Sequence, residues 1–339
     1  MLTHGGGAHV GAYLAALAEA DRCDGVILAD PDGRWEADAR RVLKDKLEHV
    51  VRDNDEALSK HEPQMALVTM EAKLAPPVID AALEANCHVF AEKPSCVRAA
   101  NFEPLVQKAD SKHRYLMLAL ANRTNPETLV ARDIIASKKI GRLFGVEMHI
   151  IADQTRLTRE SYHSQWFADK TRAGGGHLIW LGIHWLDLAM YVTGESITEV
   201  AGFTTNIGRQ PINVEDSATA ALKFESGALG TMTSGYYLDK SYNSHIKIWG
   251  SDGWVLLEPM KDQPLTWYTT KGDKAGQVQV GTQGREPRGY TPFVSEAIRA
   301  CADMTDPPIT SDDSLRALKT VFSIYSAAED RRVAKVQEG

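Results

Sequence analysis

One segment of the chain sets titratable side chains in an otherwise apolar stretch. The segment "AGGGHLIWLGIHWLDL" (173–188) includes His177, His184 and Asp187. Such side chains can ligate a metal ion, transfer a proton or form hydrogen bonds inside a core. On a helix, His177 and His184 would lie about 10.5 Å apart along the axis, which is too far for both to ligate one metal ion. We therefore predict no metal site here, while proton transfer and core hydrogen bonding stay open.

The same segment begins with three glycines and includes Trp180. At 3.6 residues per turn, Trp180, His184 and Asp187 would share one face of a helix. The glycines would let a cofactor or substrate approach the free backbone N–H groups at the helix N-terminus. Trp180 suits either a core position or a platform on which a sugar ring stacks. His177 suits either a structural or a functional role.

A lysine stands at the end of another apolar run. Lys93, in "AEKPSC" (91–96), follows a predicted strand that Pro94 ends sharply. Ligands of a doubly wound sheet bind beyond the carboxyl ends of its strands, so Lys93 would reach the reactive end of a cofactor. A Lys-Pro pair is also frequent in structural turns, and the segment alone does not decide between the two.

The first glycine run, "HGGGAHVGAYL" (4–14), matches part of a dinucleotide-binding fingerprint. Gly5 and Gly7 fill the first two glycine positions of G-x-G-x-x-G, with Gly6 between them, while Val10 replaces the third glycine. Such glycines allow a tight turn and let the backbone approach a pyrophosphate at a helix N-terminus. We expect Gly5, Gly6 and Gly7 to bind a dinucleotide.

An acid ends the second predicted strand. At the position of Asp30, a carboxylate accepts hydrogen bonds from the adenosine ribose. The same charge would repel a 2′-phosphate, so we predict NAD, and the nearby Arg34 keeps NADP open. The alternative is a structural turn, because "DPDG" (30–33) is favourable turn chemistry.

The elements that must position these residues fall into two patterns. The first third alternates helical periods with the apolar runs "GVILAD" (25–30), "MALVTM" (65–70), "HVFAEK" (88–93) and "YLMLALAN" (115–122). This alternation is typical of a parallel sheet with right-handed crossovers. Only "MLTH" precedes the first glycine run, so either the start is clipped or the central strand is unusually short.

The pattern changes near residue 122. A helix (126–139) and a strand (143–153) lead to a polar loop, the second glycine run and several consecutive strand-like runs joined by short turns. Such runs indicate a largely antiparallel sheet. Two helices, near 290–303 and 311–330, close the chain. We predict a Rossmann domain over 1–121 and a second α/β domain over 122–339.

Composition narrows the class of partner. The chain has 339 residues, of which 43% are apolar and 24% charged, which is typical of a soluble globular protein. A net charge of −7 argues against nucleic acid or an anionic membrane as the main partner. There is no signal-peptide pattern, no apolar run of about 20 residues and no CxxC motif. We therefore expect a cytoplasmic protein with reduced thiols.

Several of these segments resemble the glucose–fructose oxidoreductase / inositol dehydrogenase (Gfo/Idh/MocA) family. The resembling stretches are "ALEANCHVFAEKP" (82–94), "AGGG" followed by "GIHWLD" (182–187), "VEDSATAALKFESGALG" (214–230) and "PPITSDDSLRAL" (307–318). The resemblance implies a Rossmann domain, a second α/β domain with an open sheet, and a bound nicotinamide cofactor. It also implies a sugar or polyol substrate and a homodimer or homotetramer built on the open sheet.

The resemblance assigns roles to individual residues. Lys93 matches the lysine that contacts the reacting hydroxyl, His184 the histidine that shares proton transfer, and Asp187 the acid one turn later. Glu92 and Lys93 are expected near the cofactor, and so are Asn122 and Arg123, which are a looser match. The loop "RESYHSQWFADK" (159–170) adds Tyr162, His163 and Trp166 at the substrate face, and Tyr236, Tyr237 and His245 are further candidates for the sheet face.

The chain also departs from the family pattern. Val10 replaces the third glycine, and Ala75 stands where many members have a histidine. Trp180 replaces the acid that usually lies four residues before the active-site histidine. This last change puts the usual lysine–acid–histidine apparatus in doubt and adds Trp180 to the candidate substrate-binding residues.

Together these features predict an enzyme. The leading hypothesis is an NAD(P)-dependent oxidoreductase that oxidises or reduces a hydroxyl carbon of a sugar, polyol or glycoside, with proton transfer by Lys93 and His184. The alternative is an NAD-retaining glycoside hydrolase or lyase that acts through transient oxidation and elimination. A third hypothesis is a non-catalytic nucleotide sensor, which the presence of both Lys93 and His184 disfavours.

Overall fold

The computed structural model describes residues 1–238, 240–282 and 287–336. The chain forms two compact units. The first consists of Met1–Thr124, Thr171–Gly174 and Pro287–Leu315, and the second of the described residues within Asn125–Lys170, Gly175–Glu286 and Arg316–Gly339.

The first unit is built on a six-stranded parallel sheet in the order β3-β2-β1-β4-β5-β6, the order of a doubly wound nucleotide-binding fold. Its strands are β1 (Leu2–Thr3), β2 (Val26–Ala29), β3 (Leu47–Val51), β4 (Met65–Thr69), β5 (His88–Ala91) and β6 (Leu116–Leu118). Its helices are α1 (Val10–Glu19), α2 (Glu36–Leu43), α3 (Asn54–His61), α4 (Ala75–Glu84), α5 (Ala99–Ser111) and α10 (Tyr290–Asp303).

The parallel strands are apolar because helices cover both faces of such a sheet. Every residue of β5 and β6 is buried, whereas the edge strand β3 is partly exposed, which explains why no apolar run marks it in the sequence. The central strand β1 is short, and its Leu2 pairs with Ala29 of β2 and Val68 of β4.

The second unit is built on a nine-stranded sheet in the order β14-β13-β12-β11-β7-β10-β9-β8-β15, in which only the β7–β10 pair is parallel. Its strands are β7 (Leu143–Asp153), β8 (Ile197–Thr205), β9 (Ser217–Phe224), β10 (Leu229–Leu238), β11 (Asn243–Gly250), β12 (Gly253–Leu257), β13 (Leu265–Thr269), β14 (Val278–Thr282) and β15 (Ala334–Lys335). Its helices are α6 (Pro126–Ala136), α7 (Glu160–His163) and α9 (Ile183–Thr193), while α8 (Lys170–Ala173) has only Lys170 in this unit and its other residues in the first. The predicted fold class, a Rossmann domain plus a largely antiparallel α/β domain, is confirmed.

The division of the chain differs from the predicted single boundary at residue 121. The first unit runs to Thr124 and also takes in α10 and the start of α11 (Ser311–Asp330). Aromatic packing explains the position of α10, because the Tyr290 ring lies 5.0 Å from that of Tyr13 and the Phe293 ring 5.7 Å from that of Phe90. A helical period in the sequence identifies such a helix but not the sheet that it covers.

Within the described ranges, no helix combines the length and the apolar content that a membrane span requires.

Candidate functional site

The first glycine run forms a tight turn between β1 and α1. Gly7 N–H donates to the His4 carbonyl at 2.9 Å, and Gly6 N–H donates to His4 Nδ1 at 3.1 Å. A Cβ at position 7 would overlap the Thr3 hydroxyl and lie 2.8 Å from the Thr69 carbonyl oxygen. Gly7 is therefore required by its close packing against the ends of β1 and β4.

The helix that follows this turn begins without a side-chain cap. His9 is the N-cap residue, in the left-handed region with φ 56°, and its side chain makes no capping hydrogen bond. The first turn of α1 contains no acidic residue, and Val10, at the position of the third glycine, is 1% exposed and begins the helix itself. A helix N-terminus carries partial positive charge, so this one suits the phosphates of a dinucleotide.

Asp30 lies at the end of β2 and is fully buried. Its Oδ2 accepts hydrogen bonds from the backbone N–H groups of Trp35 at 2.8 Å and Glu36 at 3.1 Å, which caps the start of α2. Its Oδ1 is buried without a hydrogen-bond partner among the described residues. An unpaired buried acceptor is costly, and a ribose hydroxyl is a donor of the kind that would pair it.

Two further side chains reach the glycine turn from the loop after β2. Asp32 Oδ2 accepts a hydrogen bond from Gly5 N–H, and Arg34 Nη1 donates to the Gly5 carbonyl at 2.7 Å. The sequence indicated Arg34 but not Asp32. The glycines, the uncapped helix and the unpaired oxygen of Asp30 together fit a dinucleotide, while the ribose contact itself stays a prediction.

Lys93 follows β5 and is 1% exposed, with a cis peptide bond to Pro94. Its Nζ lies 4.0 Å from Oε1 of Glu92, which is also 1% exposed. A carboxylate beside a buried ammonium stabilises the charged form of the lysine. A buried lysine paired in this way is suited to accept and return a proton.

Three residues that sequence reasoning missed hold Glu92 in place. The Tyr13 hydroxyl donates to Glu92 Oε2, and His9 Nδ1 lies 3.2 Å from the same oxygen. The Tyr290 hydroxyl lies 3.1 Å from His9 Nδ1. Burial, together with the Glu92 charge, raises the pKa of Tyr13 well above its usual value, so its hydroxyl stays a donor. Tyr13 and Tyr290 sit on α1 and α10, and no spacing rule in the sequence links those helices.

Asn122 and Arg123 lie in a short 3₁₀ turn (Ala121–Thr124) after β6. Asn122 is half-buried, and its expected place near the cofactor stays a prediction. Arg123 is 3% exposed, and its Nη1 lies 2.7 Å from Asp313 Oδ2, an ion pair that ties this turn to the start of α11.

The second glycine run accommodates the protein's own groups. A Cβ at Gly175 would overlap the Tyr325 hydroxyl, and a Cβ at Gly176 would overlap the backbone of Glu215. The expectation that these glycines admit a cofactor or substrate is therefore wrong for Gly175 and Gly176. Their missing side chains let α11 and the irregular segment before β9 approach the helix start.

The sequence predicted free N–H groups at this helix start. That prediction is wrong, because Glu215 accepts hydrogen bonds from them. Its Oε2 accepts from Gly176 N–H at 2.7 Å, and its Oε1 accepts from Leu178 N–H at 2.9 Å and the Tyr325 hydroxyl at 2.8 Å. The same hydroxyl accepts from Ile179 N–H at 3.1 Å. Burial raises the pKa of the Glu215 carboxyl, and the hydrogen bonds oppose that shift.

The helix after the glycines is not regular. Leu178–Gly182 form a π-helical turn before α9 begins at Ile183. His177, just before it, is fully buried, with Nδ1 2.6 Å from Ser234 Oγ and its ring edge-on to Tyr236 at 4.3 Å. These contacts favour the structural role for His177. π-turns are frequent at functional sites because they displace the side chains around them.

The remaining candidates on this helix differ in exposure. His184 and Trp180 are half-buried, whereas Asp187 is 1% exposed. Asp187 thus lies in the core of the second unit, consistent with orienting a neighbour rather than touching substrate. His184 keeps its candidate catalytic role as a prediction.

Four aromatic rings meet at Trp180. The Trp180 ring lies 5.5 Å from that of Trp166 and 5.3 Å from that of Phe167, and the Phe167 ring lies 4.8 Å from that of Tyr162. Trp166 is 2% exposed, whereas the other three are half-buried. His163 is directed to its own loop, with Nε2 2.6 Å from the Leu157 carbonyl. Phe167 was not among the predicted residues.

The other sheet-face candidates are not members of this cluster, although Tyr236 packs against Tyr162. Tyr236 is buried beside His177, whereas Tyr237 is exposed. His245 stacks on His149 across β7 and β11, and its Nε2 lies 2.9 Å from Glu147 Oε1. Across the described ranges, no group of three or more His, Cys, Asp or Glu side chains has the geometry to hold a metal ion.

Two family models match the chain. Residues 5–120 match the oxidoreductase family with an NAD-binding Rossmann fold, and residues 128–256 match the GFO/IDH/MocA C-terminal domain. Among curated relatives, myo-inositol 2-dehydrogenase of Thermotoga maritima is 22% identical, over 93% of this chain and 92% of its own. The NADP-dependent D-xylose 1-dehydrogenase of Haloarcula marismortui is 25% identical, over 95% and 89% respectively.

A solved structure shows the same fold along the chain. Levoglucosan dehydrogenase, in complex with NADH and levoglucosan, matches with a TM-score of 0.86 at 18% identity, over 99% of this chain and 98% of that one. The two family models cover the glycine turn with Lys93 and the helix with His184, in the order that the resemblance requires. The chain therefore belongs to the Gfo/Idh/MocA family of oxidoreductases with an NAD-binding Rossmann fold.

Proposed function

We propose that this chain is an NAD-dependent enzyme that oxidises or reduces a hydroxyl carbon of a sugar, polyol or glycoside. The observation that carries this proposal is the buried Lys93 beside the buried Glu92, in a unit whose α1 N-terminus has no side-chain cap. Relatives named for inositol, xylose and levoglucosan support the substrate class.

The residues of the first unit would hold the cofactor, which supplies the hydride acceptor when bound. Gly5, Gly6 and Gly7 would let the pyrophosphate lie against the backbone and the α1 N-terminus. Asp30 would accept from the ribose and disfavour a 2′-phosphate. Asn122 would lie near the cofactor, as the resemblance implies.

Proton transfer is assigned to two side chains. Lys93 Nζ, in its neutral amine form, takes the proton of the reacting hydroxyl, and the Glu92 carboxylate stabilises the ammonium that forms. His184 shares this proton and passes it on, as the resemblance implies. Burial of Lys93 keeps water from competing for the reaction. Such acid–base assistance contributes roughly 10²–10⁴ in rate.

The substrate contacts are proposed on the second unit. Trp180, Tyr162 and His163 would line the site, and Asp187 would orient its neighbours from the core. A homodimer or homotetramer would form on the open face of the nine-stranded sheet, where Phe203 is 75% and Trp249 37% exposed.

A substrate screen with the Lys93→Met variant tests the proposal. Sugars, polyols and glycosides are followed both by NADH absorbance and by product identity. We expect NADH formation with wild type and a loss of about 10²–10⁴ in Lys93→Met, with NADH affinity and melting temperature retained. The exposed Lys60→Met serves as the matched control and should keep full activity.

Other outcomes would redirect the assignment. Near wild-type turnover in Lys93→Met would contradict its proton-transfer role. Glycoside cleavage at constant NAD would favour the redox-assisted hydrolase or lyase, for which the replacement of the usual acid by Trp180 is the supporting feature. NAD binding without any turnover would favour a nucleotide sensor.

A further inference from the structure

The aromatic cluster of the second unit combines three half-buried rings, Tyr162, Phe167 and Trp180, with the buried ring of Trp166. We propose that Tyr162, Phe167 and Trp180 form a subsite for an apolar, aromatic or alkyl aglycone, so that the preferred substrate is a glycoside with such a group. This inference rests on the proposed function and narrows its substrate class.

The first argument is the shared construction of the cluster. Phe167 is central, with its ring 4.8 Å from that of Tyr162, 5.7 Å from that of Trp166 and 5.3 Å from that of Trp180. The interplanar angles of 46–63° are those of tilted and edge-to-face pairs, which aromatic rings prefer to flat stacking. The rings therefore support one another in a fixed arrangement.

The second argument is the division between buried and half-buried members. Trp166 is 2% exposed and is the buried member of the cluster. Tyr162, Phe167 and Trp180 each keep part of their surface accessible. Three partly accessible rings in contact form a continuous apolar patch. Exposure of such a patch to water costs free energy, and this cost is removed when an apolar group covers the patch.

The third argument is that the patch packs against buried residues of the second unit. Tyr162 packs against a buried cluster of Ala152, Leu157 and Tyr236. His163 Nε2 lies 2.6 Å from the Leu157 carbonyl, and this contact within the loop stabilises the segment that carries Tyr162 and Phe167. A preformed apolar surface binds a ligand without losing entropy to reorganise.

The position of the patch links it to the chemistry. Trp180 lies in the π-helical turn, four residues before His184, in the same half-buried part of the helix. An aglycone on Trp180 would therefore place the attached sugar toward His184. The indole of Trp180 offers dispersion contacts and a ring face, which favour an apolar group over a polar one at this position.

Matched pairs of substrates test this inference. Phenyl and methyl glycosides of glucose, galactose and xylose are compared by kcat/KM with NAD. Binding is also measured by calorimetry with NADH present, so that the comparison does not depend on turnover. We expect the phenyl glycoside to be preferred at least tenfold in one or more pairs, which corresponds to about 1.4 kcal/mol.

Variants then locate the preference. Trp180→Ala and Phe167→Ala should reduce the phenyl-to-methyl ratio to about threefold or less, mainly through KM, and Trp180→Phe should restore most of it. Phe144→Ala, a change to an exposed ring elsewhere in the second unit, should leave the ratio unchanged. Circular dichroism verifies that each variant folds.

The outcomes separate this inference from the proposed function. Equal binding of phenyl and methyl glycosides in every pair, or an unchanged ratio in both alanine variants, overturns the aglycone subsite even if NADH is formed. A preference for phenyl glycosides in binding without any NADH formation supports the aglycone subsite and contradicts the proposed dehydrogenase function.

Discussion

Two glycine runs in this protein each precede a helix, yet the two helix starts are used in opposite ways. In the first unit, α1 begins with no capping side chain and no acid in its first turn. In the second unit, the carboxylate of Glu215 and the hydroxyl of Tyr325 bind the N–H groups of Gly176, Leu178 and Ile179. Three glycines before a helix therefore do not identify a ligand site. The deciding feature is whether a carboxylate of the chain already fills the helix N-terminus.

The difference has a simple electrostatic basis. A helix N-terminus has about half a positive charge and unpaired N–H donors, and it attracts an anion. The open start suits a phosphate from outside, whereas the closed start is satisfied internally. Burial of the Glu215 carboxylate is unfavourable, and charge-assisted hydrogen bonds offset that cost.

The largest expected effect comes from closing the space at the second run. Gly176→Ala would place a methyl group on the backbone of Glu215, so that backbone or the helix start must shift and lose the hydrogen bonds between them. We expect a loss of about 4 kcal/mol in the free energy of unfolding, or failure to fold, measured by urea titration. Gly11→Ala, whose Cβ would meet nothing within 4 Å, is the matched control and should be neutral or stabilising. Wild-type stability of Gly176→Ala would refute the closed arrangement.

The same change in the first run should affect binding more than folding. Gly7→Ala would crowd the Thr3 hydroxyl and the Thr69 carbonyl, but its half-exposed turn can shift outward. We expect NADH to bind at least a hundredfold more weakly, about 2.8 kcal/mol, in a fluorescence titration. The stability cost should be smaller than that of Gly176→Ala. Unchanged NADH affinity would show that the turn does not approach the cofactor.

Removal of one hydroxyl tests the closed helix start on a finer scale. Tyr325→Phe deletes the donor to Glu215 and the acceptor of Ile179 N–H. We expect a loss of about 1–2 kcal/mol in the free energy of unfolding. Tyr191→Phe, which removes a hydroxyl paired with Arg132 at the surface, should cost far less. Equal losses of stability in the two variants would show that the Tyr325 hydroxyl does not stabilise the closed helix start.

The smallest expected effect is a pH dependence. Because burial raises the folded-state pKa of Glu215 above its usual 4.5, its contribution to stability is complete below pH 4.5 and is lost as the pH rises. Glu215→Gln does not titrate. The stability of this variant relative to wild type should therefore increase from pH 4.5 to pH 7 in unfolding titrations. A difference that is flat or falls over that range would contradict a raised pKa.

The sequence predicted the fold class well because strand and helix patterns are local. The helices near 290–303 and 311–330 and the strands β2, β4, β5 and β6 lie where hydrophobic periodicity placed them. The edge strand β3 was missed because only one of its five side chains is buried. The assignment of α10 failed because periodicity does not reveal which sheet a helix covers.

The site was predicted in part. Lys93 could be found because a motif places it after a buried strand. Glu215 and Tyr325 could not, since they are distant in sequence from the helix that they close. The sequence pattern of residues 214–217, "VEDS", indicates the start of a strand. Only the folded chain shows that Glu215 lies at a helix N-terminus. Phe167 was overlooked because a single phenylalanine in a polar loop has no periodic signal.

The aromatic packing of α10 on α1 has a consequence for biosynthesis. The first unit requires Tyr290 and Phe293, which leave the ribosome after most of the chain has been made. Until then, the surface around Tyr13 and Phe90 has no cover, and the contacts that close it span nearly the whole sequence. Such long-range closure is slow and leaves apolar surface open to aggregation. The first unit, although it begins at the N-terminus, is thus among the last parts of the chain to be completed.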